Sequence, residues 1–414
     1  MSMSEVIACH ECDLLQRAPE GEGAVRCVRC NAPLFKNKPG SLERTLAYSL
    51  TAACLFALAN AFPIVSLDLN GNHITTTLLG AVRTLSNEGM PELGIVVFLT
   101  TFLVPAAELA AILYLLLPLR FGRMLPGASQ ILGLLDHMHP WNMIEVFMLG
   151  VLVSLVKLTS YAHVVPGIAL WSFAGLVIAM PAIAGTFDAH QLWRRIMAPA
   201  TGSAAAPLPP TAAEAGWAVC HTCGMLSDPG RGGAHASCPR CGERLHLRKQ
   251  NSVARTWALL IAAAILYIPA NVLPVMNTSS LFGSERDTIM SGVVYLWTSG
   301  DPPLALLVFF ASITVPGLKL IALSVLLVSV QRRSTWQPEQ RARLYRLVEF
   351  VGRWSMLDIY VVTLMAALIQ LQSLATIRPG PGAVAFCSVV VLTMFAAMSF
   401  DPRLIWDPMR AKNG

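Results

Sequence analysis

Residues 9–30 read CHECDLLQRAPEGEGAVRCVRC, and residues 220–241 read CHTCGMLSDPGRGGAHASCPRC. Each stretch holds two C-x2-C pairs with fourteen residues between them, and the second stretch lies 211 positions after the first. The same offset carries Arg44 and Thr45 onto Arg255 and Thr256, Asn60 onto Asn271, Pro63 onto Pro274, and Pro105 onto Pro316. Farther along the offset is 213, which puts Trp141 on Trp354, Met143 on Met356, Glu145 on Asp358, and Trp193 on Trp406. A register shared over so much of the chain is the signature of an internal duplication.

Composition says what was duplicated. The 414 residues are 55% hydrophobic and 13% charged, against about 25% charged in soluble domains, and the mean hydropathy is +0.57. The apolar residues lie in blocks near 44–65, 93–119, 143–164, 166–187, 256–277, 304–330, 355–376 and 382–400. Each is close to the ~20 residues that cross a bilayer as a helix. The expected fold is therefore an all-α polytopic membrane protein with eight spans. It comprises a small metal ribbon at 1–43, four helices in 44–197, an Ala- and Pro-rich linker at 198–215, a second ribbon at 216–250, and four more helices in 251–414. Residues 1–43 are polar and lack the apolar core of a signal peptide, so 44–65 is expected to be an uncleaved helix.

Four spans per copy give parallel copies with both ribbons on one face. With that face inside, 25 Lys and Arg lie on the cytoplasmic side and only Arg83, Arg286 and Arg378 outside. This is the positive-inside pattern, and it accounts for the net charge of +6 without nucleic acid. Segments 66–83 and 275–290, in the outer loops, are candidates for a small extracellular sheet.

Two knuckles of paired cysteines can turn four thiolates onto one ion. Cys9, Cys12, Cys27 and Cys30 form one such set, and Cys220, Cys223, Cys238 and Cys241 the other. A closed S4 site suits structural Zn²⁺, so two zinc ions per chain are expected; iron fits the same ligands. Gly224 and Gly242 suit the positive φ that a knuckle needs, and Asp13 and Asn31 stand there in the first copy. C-x2-C is also a redox dithiol, which keeps a membrane redox protein open as an alternative. Cys54 and Cys387 lie inside spans and read as small buried hydrophobes. His10 and His221 follow the first cysteines, but four cysteines already suffice. His137 and His139, beside Asp136, are a weaker metal candidate with no counterpart in the repeat.

Charges inside a bilayer are costly and need a partner or a purpose. Those in or at the ends of spans are Glu108, Glu145, Lys157, Lys319 and Asp358, with Thr393 nearby in depth. Helical rise places Lys319 about 16 Å, Thr393 about 10 Å and Asp358 about 5 Å from the cytoplasmic end, within reach of one network. Glu108 holds the position of Lys319 in the first copy, and Glu145 that of Asp358, so two acids are expected near one another with one protonated. Asn60 with Pro63, and Asn271 with Pro274, read as structural kinks near helix ends. Pro105 and Pro316 are expected to kink the second span of each copy. No P-loop, dinucleotide fingerprint or nucleophile elbow is present, so no enzyme is indicated.

Two four-cysteine ribbons, each leading into four spans through an Arg-Thr start and an Asn-x2-Pro end, resemble the paraquat-inducible protein A family. The residues carrying this are Cys9, Cys12, Cys27, Cys30, Arg44, Thr45, Asn60, Pro63 and their second-copy mates, and the resemblance spans about residues 5–408. It implies the inner-membrane subunit of a bacterial intermembrane lipid transport system. Such a subunit would exchange phospholipid with a periplasmic tunnel protein built of mammalian-cell-entry (MCE) domains. With no nucleotide motif, proton coupling through Lys319, Asp358 and Thr393 is the suggested energy source. A non-transporting anchor for the tunnel is the remaining alternative.

Overall fold

The computed structural model describes residues 6–18, 23–37, 40–69, 72–87, 91–123, 126–159, 163–196, 209–228, 236–280, 283–298, 300, 302–352, 360, 370–371 and 375–409. The chain is mostly helical. Among the described residues, six helices are long and apolar enough to cross a membrane, three in each copy. In the first copy these are α1 (Ser41–Ala61), α3 (Pro91–Arg120) and α6 (Ile168–Thr186). Between them lie α2 (Leu78–Asn87), α4 (Ala128–Met138) and α5 (Ile144–Thr159), and α7 (Ala189–Ile196) follows. In the second copy the spans are α8 (Ser252–Val272), α10 (Ala305–Gln331) and α12 (Pro381–Ser399), with α9 (Ile289–Thr298) and α11 (Pro338–Gly352) between.

The spans are apolar around most of their circumference because one side meets protein and the other meets lipid. The first span of each copy packs along its length on the last, α1 on α6 and α8 on α12. Gly167 and Gly380, mates at offset 213, close these pairs. Their N–H groups donate to Ile64 O at 2.9 Å and Val275 O at 2.7 Å. A Cβ there would lie 2.1 Å from Pro63 O or 2.2 Å from Pro274 O, so only glycine lets the chains approach.

Two expectations about the third span need correction at its far end. Of the block expected as helix over 143–164, Ile144–Thr159 is helix, a length of 16 residues, and His163–Pro166 is a strand. The tail of the block at 355–376 is strand as well, at Gln370–Leu371 and Ala375–Pro379; most of that block, Asp358 included, lies outside the described residues. These strands join hairpins that follow the first spans. One sheet orders Asn72–Thr76, Val65–Leu69, His163–Pro166; the other orders Gly283–Asp287, Met276–Ser280, Ala375–Pro379, Gln370–Leu371, all antiparallel. Both lie at the end of the bundle opposite the cysteines. A β-rich apolar run thus reads as helix until the need to pair with the hairpin overrides it.

The Asn-x2-Pro motif ends a helix and does not bend one. Asn60 Nδ2 donates to Phe56 O and Asn271 Nδ2 to Tyr267 O, both at 2.8 Å. The helices stop at Ala61 and Val272, so Pro63 and Pro274 stand beyond them. Pro105 and Pro316 each follow a five-residue π-helical turn, Leu99–Leu103 and Phe310–Thr314. The wider turn accommodates a residue that has no N–H to donate and whose ring crowds the preceding carbonyl.

Candidate functional site

Each cysteine set is built by two short hairpin turns. In the first, Asp13 N donates to Cys9 O at 2.9 Å and Asn31 N to Cys27 O at 3.0 Å; in the second, Gly224 N reaches Cys220 O at 3.0 Å and Gly242 N reaches Cys238 O at 2.8 Å. The closing residues have φ of 63° (Asp13), 59° (Asn31), 68° (Gly224) and 78° (Gly242), as the sequence suggested. The Sγ contacts run between knuckles. Cys9 lies 3.5 Å from Cys30, and Cys12 3.4 Å from Cys27. Cys220 lies 3.4 Å from Cys241, and Cys223 3.4 Å from Cys238. All four sulfurs of each set fall within 4.8 Å of one another.

This donor set fits a tetrahedral metal ion. With metal–sulfur bonds of about 2.3 Å the edges of the tetrahedron would be about 3.8 Å. Without a cation the thiols divide their protons unevenly. Hydrogen bonds from their neighbours, ahead of burial, hold Cys27 and Cys238 below the usual thiol range and Cys12 and Cys223 above it. A divalent ion lets all four ionise together. The backbone N–H of Glu11 also points at Cys9 Sγ, at 3.4 Å, the kind of donor that supports a thiolate.

The two ribbons cross over. The first packs on the second membrane copy, where Cys9, Cys12, Cys27 and Cys30 share a cluster with Leu326, Tyr345, Phe400, Ile405 and Trp406. Arg346 of α11 donates to Cys30 O at 2.9 Å and lies 3.6 Å from Glu11, while Arg29 stacks 4.5 Å over the Trp406 ring. The second ribbon packs on the first copy: a Cβ on Gly133 of α4 would lie 2.9 Å from the Thr222 methyl. Ion pairs tie this crossing to the chain's end. Arg248 bridges Asp13 at 3.1 Å and Asp407 at 2.7 Å, so the carboxylate at the positive-φ position of the first ribbon also anchors the second. Asp401 binds Arg403, whose Nη2 donates to His221 Nε2 at 2.8 Å. Burial, then the Arg403 charge, pulls His221 down to about 4, so its neutral ring can accept that bond at pH 7.

Behind the ribbons sit the charges inside the spans. Lys319, 2% exposed, donates from Nζ to Thr393 Oγ1 at 2.9 Å, and Thr393 passes its hydroxyl hydrogen to Val390 O at 2.9 Å. Gly352 lies beside it: a Cβ there would be in ordinary contact, 3.6 Å from Lys319 Nζ. In the first copy Glu108, 6% exposed, accepts from Asn142 Nδ2 and lies 3.4 Å from His139 Nδ1. Glu145 is on the exposed face of α5, so the partners of Glu108 are a histidine and an amide where a second acid had been expected. The side chain of Lys157 and all of Asp358 lie outside the described residues. His139, read from the sequence as a weak metal candidate, and Asn142 are the partners that sequence reasoning missed. The register held a clue, because His139 falls on Gly352 just as Glu108 falls on Lys319.

Comparison with known proteins follows the same division into copies. The family model for paraquat-inducible protein A matches residues 42–197 and again 253–410, the two membrane copies without their ribbons. The chain is 36% identical over 409 residues to the intermembrane transport protein PqiA of Escherichia coli K12, covering 97% of this chain and 95% of that protein. It is 31% identical over 407 residues to lipophilic envelope-spanning tunnel protein A of the same strain, covering 98% and 92%. It is 28% identical over 409 residues to a probable intermembrane transport protein of Haemophilus influenzae, covering 97% and 96%. No solved structure matches the chain. With both copies matched and whole-length relatives above 30% identity, this multi-pass membrane protein belongs to the paraquat-inducible protein A family.

Proposed function

We propose that this chain is the inner-membrane subunit of an intermembrane phospholipid transport system, loading lipid into, or receiving it from, a periplasmic tunnel of MCE domains. The relatives' names, intermembrane transport and envelope-spanning tunnel, support the class of activity. In this reading there are eight spans, both ribbons and both termini face the cytoplasm, and each ribbon holds one Zn²⁺ that clamps structure and performs no chemistry. Cytoplasmic placement follows from the charge distribution, 25 Lys and Arg against three.

The observation that carries the mechanism is the buried pair of Lys319 and Thr393. An ammonium inside a span costs about 2.5–3.5 kcal/mol on insertion scales, and a single threonine hydroxyl repays little of it. A proton-handling network of Lys319, Thr393 and Asp358 accounts for keeping it. Glu108, with His139 and Asn142, forms the diverged first-copy counterpart, and the second copy does the work. The test uses Lys319→Ala and Asp358→Asn at normal expression. Loss of envelope-barrier function with the periplasmic partner still bound supports this reading and removes a pure anchor. Full function in both variants overturns it. About two zinc per chain, with thiols that resist oxidation, removes the redox alternative.

A further inference from the structure

The two copies differ on the face of one short helix at the end away from the ribbons. Helices α2 and α9 occupy equivalent places, each following the outer hairpin and packing on the span that follows. At the offset of 211, Leu79, Arg83 and Ser86 of α2 correspond to Met290, Val294 and Trp297 of α9. The first three present a cation and a hydroxyl on an exposed face. The second three are 50%, 54% and 56% exposed and wholly apolar or aromatic. The ten residues Ile289–Thr298 carry no charged side chain.

The opposite face of α9 is already used. Val293 and Leu296 are buried against Ala305, with Val308 and Phe309 packed around them. The exposed face continues onto Leu306, Leu307 and Phe310 of α10, a membrane-crossing helix whose outward side must meet acyl chains. A short helix with an apolar face and a tryptophan near its end, continuous with a lipid-facing stripe, has the chemistry of the headgroup–hydrocarbon boundary. We propose that α9 is seated in the lipid leaflet at that boundary and that α2 is not, so only the second copy adds a boundary helix to the far leaflet beside its spans. The occupant of the face is the bilayer itself. This rests on the membrane placement of α10 and holds whichever way lipid or protons move.

The test places a fluorescent non-natural residue at position 294 or at position 83 of the full, metal-loaded chain, reconstituted in phosphatidylcholine vesicles. Quenching by lipid brominated near the headgroup end of its chains is compared with quenching by aqueous iodide, with an unchanged thermal transition as the folding control. Lipid quenching severalfold stronger at 294 than at 83, with iodide in the reverse order, is the expected result. Equal quenching at the two positions by either agent overturns the proposal. So does a probe at 294 shielded from both agents, which would mean that protein, a second copy or a partner, covers the face.

Discussion

Crossed ribbons make a prediction that uncrossed ones do not. Replacing Cys9 and Cys12 with serine takes away half of the ligand set that would hold a metal ion in the first ribbon, and a ribbon of this size unfolds without one. The half that loses support is then the second. Arg346 loses its bond to Cys30 O, 2.9 Å long, and Arg29 leaves the Trp406 ring 4.5 Å away. A charge-assisted hydrogen bond is worth about 1.5–3 kcal/mol and a cation–π contact about 0.5–2. Uncovering Phe400, Ile405 and Trp406, now at most 2% exposed, adds to that. A local loss of about 3 kcal/mol corresponds to roughly a hundredfold rise in opening. Amide hydrogen exchange on the protein in lipid nanodiscs reads it directly. Pro338–Gly352 and the segment 402–409 should exchange faster, while Ala128–Met138 stays protected. Replacing Cys220 and Cys223 should instead expose Ala128–Met138, where Thr222 now covers Gly133, and leave Pro338–Gly352 protected; the segment 402–409 is not diagnostic there, because His221 and Arg248 also hold it. If the first-ribbon variant loosened Ala128–Met138 instead, or both helices equally, the crossed packing would be refuted.

Asp401→Asn should cost about 3–5 kcal/mol by leaving the buried Arg403 unpaired. Burial opposes the Asp401 charge, but Arg403 and the backbone donors of Lys249 and Arg403 outweigh it and hold the carboxyl below its usual range. The stabilisation is thus complete above the ordinary carboxylate pKa, and the gap in thermal midpoint from wild type should hold from pH 7 to about pH 4 and narrow only below. Gly380→Ala, whose Cβ would lie 2.2 Å from Pro274 O, should lower the midpoint in detergent by the equivalent of about 1–3 kcal/mol. Gly185→Ala, which meets nothing within 4 Å, should leave the midpoint unchanged or raised; equal losses at both sites would discount the close approach. Glu108→Lys should destabilise the first copy by about 3 kcal/mol, since it sets a lysine against His139. Adding His139→Gly, which copies the second-copy pair of Lys319 and Gly352, should recover part of that midpoint, and no recovery would count against equivalent packing.

Much of this was legible because it is local. Knuckle geometry follows from the C-x2-C spacing and from which residues tolerate positive φ, so Asp13, Asn31, Gly224 and Gly242 could be placed in advance. Helix starts and the outer hairpins follow from apolar runs and turn chemistry. The crossing of the ribbons could not be read, because an offset of 211 is the same whichever copy a ribbon packs against. The π turns before Pro105 and Pro316 were equally silent, since a proline in an apolar run predicts some bend without fixing its form. The third span misled at its far end for another reason. Its apolar blocks run on to 164 and 376 with no break in the sequence, and only a partner strand far away in sequence turns their closing residues into sheet.

What separates the copies is a coordinated set of changes. Going from first to second copy in register, Glu108 becomes Lys319, His139 becomes Gly352, and Met180 becomes Thr393. The lysine is longer than the glutamate, and the lost imidazole leaves the space into which its ammonium now reaches, 3.6 Å from where a Cβ would be. The methionine could accept almost nothing, whereas the threonine supplies the oxygen that the ammonium binds at 2.9 Å. Drift in a lipid-facing stripe would not link charge, volume and acceptor in this way. Both copies therefore keep one ionisable group at the same depth, each with its own fitted partners, but of opposite sign. A proton bound at Glu108 removes a charge from the membrane, and a proton bound at Lys319 adds one. Two halves with one scaffold thus respond to the same proton in opposite electrostatic directions, which is why a mechanism common to both is harder to sustain than one resting on the second alone.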